Sequence, residues 1–336
     1  TFNLLSLLRW GNFVINLKSI AMKKICLLLI ISLMGLSVMA QNSATLRLNP
    51  EKNKVYRMKS SSEQTITQTV NGNQQTVESN VGYTVSLKMI DATQDFLILE
   101  TRFDTLSTKT NTMGKIVSFT SASEGNIASS EMSEIMSCIM NRLSKNAIYL
   151  KMDYSGKPLE VLNAKMLSDI ILKDTSAITL TGPTAGPVKQ QVASTVSEAN
   201  IRNMLGPFTW TLPGKEVSVG DTWLITQQVN SGGMLLDIKT NFRLDKISEG
   251  KAFITVESNI KAPENALPIK SGVATVTYDN LQGASKSKLT VDTITGFVVE
   301  DNSETHISGK LGISGPGFSM EMPMDIIGKS EIKAIK

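Results

Sequence analysis

An α+β fold, predominantly antiparallel β, is predicted by three features of the sequence. Short segments that alternate apolar residues with Thr or Ser recur through most of the chain after residue 41. Tight-turn signals such as Asn71-Gly72 separate them. Helical spacing of apolar residues is confined to the middle, between Ser130 and Leu205. Together these describe two related β-rich halves or one long curved sheet, with about three helices between or covering them.

Residues 22–40 read as a secretory signal peptide. Met22-Lys23-Lys24 is a cationic start, Ile25 to Leu36 is apolar, and Val38-Met39-Ala40 supplies small residues before a cut after Ala40. The apolar run is well short of the ~20 residues that span a bilayer. Residues 1–21 are read as upstream sequence. The expected working protein therefore begins at Gln41 and has no transmembrane segment after signal cleavage. It divides into a first β-rich half with helices (41–180), a linker and helix (181–206) and a second β-rich half (207–336).

In the first half, Val55-Tyr56-Arg57-Met58 opens a strand and Thr65 to Val70 follows. Asn71-Gly72 turns the chain into Gln75-Thr76-Val77. Tyr83 to Met89 alternates apolar with polar, and Phe96 to Glu100 is its antiparallel partner across Asp91 to Asp95. A helix follows, capped by Ser130, with Met132, Ile135, Met136, Ile139 and Leu143 on one face and Arg142 and Lys145 at its end. A second helix starts at Asn163, with Met166, Leu167, Ile170 and Ile171 facing inward. A third spans about Val188 to Leu205 and stops at Gly206-Pro207. Strands then resume at Val219 to Ile225, Asn241 to Leu244, Ala252 to Glu257, Val273 to Tyr278, Lys288 to Val291 and Phe297 to Glu300.

The two β-rich stretches share a plan. Tyr56-Arg57-Met58 corresponds to Trp223-Leu224-Ile225, and the strand pair around Asp91 to Asp95 to the pair around Ser248-Glu249-Gly250. Tyr149 to Leu159, with Asp153 and Gly156, corresponds to Lys288 to Val298, with Asp292 and Gly296.

Charge narrows the choice of partners. The chain has 34 Lys+Arg against 30 Asp+Glu. Four of the bases (Arg9, Lys18, Lys23, Lys24) lie in the leader, which has no acid, so the body is balanced. A neutral body has no basic field to draw phosphates, and nucleic acid is not an expected partner. With 41% hydrophobic residues the chain is not of disordered composition. Cys138 is the only cysteine after the leader, so no intramolecular disulfide can form; it is expected to be sequestered.

Catalytic chemistry finds little support. His306 is the only histidine and shares a strand face with Glu304 and Asn302; one imidazole with carboxylates falls short of a structural zinc set, and an exposed strand histidine is the expected reading. No Gly-x-Ser-x-Gly elbow is present, and the Ser-x-x-Lys spacings at Ser285 and Ser330 lack a helix start. The sharpest local pattern is Met320-Glu321-Met322-Pro323-Met324. Alternation sets three thioethers on one face, which would suit soft Cu(I) or, more simply, apolar packing. Pro323 marks the segment as an edge or irregular strand.

The leader, the Val219-Gly220-Asp221-Thr222-Trp223 segment and the strand-Gly-strand unit around Gly296 resemble an uncharacterised family of exported proteins of Gram-negative envelopes, carrying a domain of unknown function. More distantly, long antiparallel strands with a few helices resemble the curved half-barrel of periplasmic lipoprotein carriers. The resemblance implies a periplasmic or outer-membrane-associated location.

These features lead to an exported, non-enzymatic envelope protein, with no cofactor, that binds a lipid or other apolar ligand or an envelope protein. Its expected lining includes Met132, Met136, Met320, Met322 and Met324. A structural scaffold without a ligand, and a Met-based copper protein, are the alternatives.

Overall fold

A computed structural model describes residues 42–335 apart from positions 71, 182–184, 232, 272–273 and 279; the leader and its expected cleavage site lie outside the described residues. Ser43–Lys336 form one compact unit. Its frame is a single 14-stranded antiparallel sheet, not two separate ones.

After β1 (Ser43–Leu46), the first half contributes β2 (Val55–Val70), β3 (Asn73–Ala92), β4 (Leu97–Thr112), β5 (Lys115–Thr120), β6 (Ile148–Met152) and β7 (Pro158–Val161). The second contributes β8 (Lys215–Ser218), β9 (Thr222–Ser231), β10 (Met234–Ser248), β11 (Lys251–Lys261), β12 (Ile269–Ser271), β13 (Ala274–Thr277), β14 (Gln282–Asp292), β15 (Val298–Gly315) and β16 (Phe318–Ile335). The order across the sheet is β7-β6-β4-β3-β2-β16-β15-β14-β11-β10-β9; β5 pairs with β4, β13 with β15, and β1 pairs with β8 apart from it. Each half is thus a five-strand meander, β2-β3-β4-β6-β7 and β9-β10-β11-β14-β15, and β16 joins them.

The strands are longer than the sequence pattern indicates because two-residue loops let them run on. Val70 pairs with Asn73 across the Asn71-Gly72 turn, where Gly72 takes φ +78°. The same device recurs at Met113-Gly114 and Glu249-Gly250. There Met113 and Glu249 adopt positive φ although neither is a residue that favours it.

β16 corrects the reading of Met320–Met324 as an edge or irregular strand. It is central, flanked by β15 and β2. Pro323 pairs with Lys310 on β15, but pairing with β2 starts only at Met324 with Gln68. The missing N–H of Pro323 therefore falls opposite Thr69, one position past the last pair of the β2–β16 ladder, where no ladder bond is lost.

Four α-helices occur among the described residues: α1 (Met132–Lys145), α2 (Ala164–Ile171), α3 (Ala185–Thr195) and α4 (Glu198–Thr209). In α1, Ile135, Met136, Ile139 and Leu143 are buried as the spacing predicts, but Glu131 rather than Ser130 holds the cap position and makes no side-chain cap bond. In α2, Leu167 and Ile171 are buried, whereas Met166 and Ile170, expected inward, are exposed. Two turns bury one narrow stripe, and α2 spends it against α1, whose Arg142 Nη1 donates to the Ile171 and Lys173 carbonyls at 2.9 and 2.6 Å. The single third helix is two: Ser197 turns extended and its hydroxyl accepts from Asn200 N–H, starting α4 afresh. Gly206-Pro207 does not stop α4, which continues to Thr209.

The main core joins both halves. Leu87, Leu97, Leu99 and Phe103 meet Leu244, Ile254 and Val291, covered by Ile135 and Ile139 of α1 and Leu205 and Phe208 of α4. Leu46 and Leu48, wholly buried, complete it. Leu48 N–H donates to Tyr154 O and Asn49 N–H to Thr295 O, each at 2.8 Å, so the N-terminal segment is held between one turn from each half. Cys138 lies buried in this core with a free thiol, as expected.

Candidate functional site: a half-covered apolar surface beside a hydroxyl belt

The core-facing side of the sheet is divided into three zones along the strands. In the lowest, Ile254, Leu289, Asp301, Ile332, Ser60, Tyr83 and Leu106 form one continuous cross-strand row. Most of this row is main core, yet it contains a carboxylate. Asp301 faces inward because one extra residue on β15 opposite Thr290 and Val291 shifts the register. Its Oδ1 is shielded from solvent and has no hydrogen-bond partner. Burial pushes the Asp301 carboxyl above the ordinary carboxylate range, opposed in part by the Ser287 hydroxyl. Tyr83, packed edge-on to Phe103 and Phe208, is likewise pushed up by burial, against a hydrogen bond with Ser60.

The middle zone is a belt of hydroxyls. Ser287, Ser303, Ser330 and Ser62 lie side by side in one row; Ser258, Ser285, Thr305 and Gln64 belong to the next. Ser303 and Ser330 are hydrogen-bonded at 2.7 Å, Thr305 donates to Ser285 at 2.9 Å, and Thr240 and Ser258 are paired at 2.9 Å. Ser62, Gln64, Ser285, Ser287, Ser303, Thr305 and Ser330 are all half-buried, so the belt is neither sealed nor on the open surface.

Beyond the belt is a second apolar cluster: Leu236, Ile260, Leu311, Met322, Met324 and Ile326, with Tyr278 and Leu281 above them. Here Met322 keeps 8% of its surface and Met324 6%, whereas Leu97, Leu99 and Ile135 in the main core keep none. Ile66, Val70, Ile238, Ile307 and Ile313 remain only half-buried at its margin. The difference lies in the cover. Helices close the main core, while the second cluster is overlain by the irregular chain between Ala262 and Leu281 and its short β12–β13 pair. Leu267 on that cover is 81% exposed. Tyr278 anchors it, its hydroxyl accepting from Leu235 N–H at 3.0 Å.

The structure divides the methionines named from the sequence. Met136 is buried in the main core and Met132 packs against it. Met322 and Met324 belong to the second cluster, and Met320 is half-buried opposite Ile313. Met132 and Met136, named in one lining with Met320, Met322 and Met324, thus lie in a different part of the core, and the hydroxyl belt separates the two groups. Met324 Sδ accepts from Gln68 Nε2 at 3.8 Å.

The opposite sheet face is polar. Glu257, Lys286, Glu304, Lys329 and Glu63 alternate in sign along one row. Two open clefts, about 620 and 570 Å³, share Ser61 and Glu63; the first joins charges of this face to Ser287, Ser303 and Ser330 of the belt, and the second reaches Ser62 and Ser133, Glu134 and Ser137 of α1. His306 is exposed on this face and bonds Asp325 Oδ1 at 2.6 Å. Among the described residues no group of three His, Cys, Asp or Glu is gathered for a metal ion.

Sequence reasoning missed Asp301 and the belt. The available signal was the Ser-x-Ser spacing at Ser60-Ser61-Ser62 and Ser285-Lys286-Ser287, with serines at inward positions that an ordinary core would fill with aliphatics.

The model of a family of unknown function (DUF6263) matches residues 94–298. The chain belongs to this family. The match covers β4 to the start of β15, and so part of each half of the DUF6263 sheet. No curated protein matches the chain. Among solved structures, it is similar to one titled for lipid–protein interactions in lipovitellin (7% identity, TM-score 0.44, covering 85% of this chain and 25% of that one). It is also similar to an outer-membrane channel from Pseudomonas putida F1 (10%, TM-score 0.25, covering 86% and 97%). A third is a DUF1329 family protein from Desulfovibrio piger (10%, TM-score 0.15, covering 82% and 85%). The DUF6263 chain thus spans about a quarter of the lipovitellin chain it matches. No helix among the described residues is long and apolar enough to cross a membrane.

Proposed function

We propose that this DUF6263 protein is an exported, non-catalytic binding protein of the cell envelope that holds an apolar or amphiphilic ligand against its second apolar cluster. One observation carries the reading. Met322, Met324, Ile326 and Ile307 form an aliphatic surface that a helix-free cover leaves incompletely closed, with a row of hydroxyls along one side. An acyl chain would replace water over the aliphatic surface, gaining roughly 25 cal/mol for each Å² covered. The adjoining Ser and Thr hydroxyls would meet its polar end. Export rests on the leader, and the compact unit begins at Ser43, just past the expected cut after Ala40. A non-catalytic role is supported by the place of the one histidine, on the opposite, solvated face and paired with Asp325.

The test is native mass spectrometry of the exported protein, followed by solvent extraction. Stripped protein is then titrated with a fluorescent fatty-acyl probe. A co-purifying apolar species and saturable probe binding, lost in Ile307→Lys while the circular dichroism spectrum is kept, are expected. A clean apo mass with no saturable binding would sink the proposal and leave the scaffold reading.

A further inference from the structure

The two ends of the sheet are treated differently. At one end, β7 is four residues long, begins with Pro158 and carries Glu160. Side chains of α4 meet its backbone: Val161 N–H donates to Glu198 Oε1 at 3.4 Å, and Arg202 Nη1 donates to Leu159 O at 3.2 Å. Proline, short length and a helix are the usual means of blunting a sheet edge. At the other end, β9 runs ten residues, Thr222–Ser231, with no proline and no charged side chain. Among the described residues, only β10 pairs with it.

The outward backbone groups of β9 follow from its hairpin. Ser231 pairs with Met234 across a two-residue loop, which makes them a hydrogen-bonded pair. Alternation then turns the N–H and C=O of Thr222, Leu224, Thr226, Gln228 and Asn230 away from β10. These five residues are exposed, Leu224 by 57%. A row of that kind is filled by an extended antiparallel strand.

We infer that β9 is a self-association edge, and that its occupant is β9 of a second copy. A two-fold axis at Thr226 sets Thr226 opposite itself, Leu224 opposite Gln228 and Thr222 opposite Asn230. All five outward residues are then paired, and each copy's polar face continues into the other's. On the inward face Trp223 meets Val229, an aromatic–β-branched pair of the favourable kind. The strand's lack of charge means that no like charges are opposed. One strip of ten residues buries less than the ~1,200 Å² of a standard interface, so the dimer is weak and reversible, dissociating in the micromolar range. Val229 adjoins Leu236 of the apolar cluster, but the outward backbone groups of β9 point away from β10, so the inference does not depend on the ligand reading.

Sedimentation of the exported protein from about 1 to 500 μM should show a monomer–dimer equilibrium. Thr226→Lys opposes two ammonium groups across the axis and should weaken dimerisation at least tenfold with the circular dichroism spectrum unchanged. Thr226→Cys should form a disulfide-linked dimer under mild oxidation, while Ser308→Cys, exposed on an interior strand, should not. A wild-type protein monomeric throughout overturns the inference. So does a dimer indifferent to Thr226→Lys, or cross-linking of Thr226→Cys no faster than of Ser308→Cys.

Discussion

Asp153 and Asp292 open corresponding turns, one in each half of the sheet, the second longer by one residue. Asp153 Oδ1 accepts from the N–H groups of Ser155 and Lys157 at 2.9 and 3.0 Å; Asp292 Oδ1 accepts from those of Ile294 and Thr295 at 3.0 and 2.7 Å. Each turn then passes through a glycine of positive φ, Gly156 at +84° and Gly296 at +76°. The carbonyls of Tyr154 and Thr295, inside these turns, hold Leu48 and Asn49. The carboxylates shape the turns, and the turns grip the N-terminal segment.

Glycine substitutions should separate backbone strain from collision. Gly114 has the same φ as Gly156, but a Cβ there meets open space, whereas at Gly156 it would overlap Thr209 O and at Gly296 Arg47 O. Gly114→Ala should cost only the left-handed penalty of about 1–2 kcal/mol. Gly156→Ala and Gly296→Ala should cost clearly more. Urea midpoints compare them, and equal losses at all three positions would refute the clasp.

Leu48→Ala should destabilise the protein by about 2–5 kcal/mol, the range for emptying a well-packed core position. Leu48 is wholly buried between the halves although it belongs to neither meander. Thermal denaturation measures this, and a loss under ~1 kcal/mol would mean that the segment docks loosely.

Asp301 should make the fold less stable as pH rises. Its folded-state carboxyl holds the proton more tightly than the unfolded chain does. Stability is therefore lost as pH climbs from the ordinary carboxylate pKa, about 3.9, to the raised folded value, and the loss is complete above it. Asp301→Asn should be the more stable protein at neutral pH, with its advantage over wild type shrinking below about pH 4. A difference in melting temperature that does not change with pH would contradict the buried-acid description.

Cys138 should resist thiol reagents in the native state. It is 7% exposed, and Gly125 approaches its backbone so closely that a Cβ there would overlap it. Labelling by an aromatic disulfide reagent should be slow natively and complete in guanidinium. Gly125→Ala should raise the native rate; rapid labelling of wild type would show that the α1 packing opens.

Local chemistry was readable wherever neighbours in sequence decide the outcome. The Asn71-Gly72 hairpin, the buried face of α1 and the Asp-to-Gly turns at 153–156 and 292–296 all follow from adjacent residues or from helical period. The α2 face was not readable, because which stripe of a two-turn helix is buried depends on where α1 stands. Pro323 misled for a similar reason: whether a missing N–H matters depends on where the pairing of β16 with β2 stops.

By itself the sequence determined a β-rich, charge-balanced body after residue 41 and the presence of two similar stretches. Tertiary structure alone decided that they merge into one sheet through β16, that a bulge turns Asp301 inward, and that a hydroxyl belt parts Met322 and Met324 from Met132 and Met136. The physical reason is register. A strand's period of two is written along the chain, but which residues stand side by side is set by pairing between segments hundreds of residues apart, and one inserted residue reverses the face of everything after it.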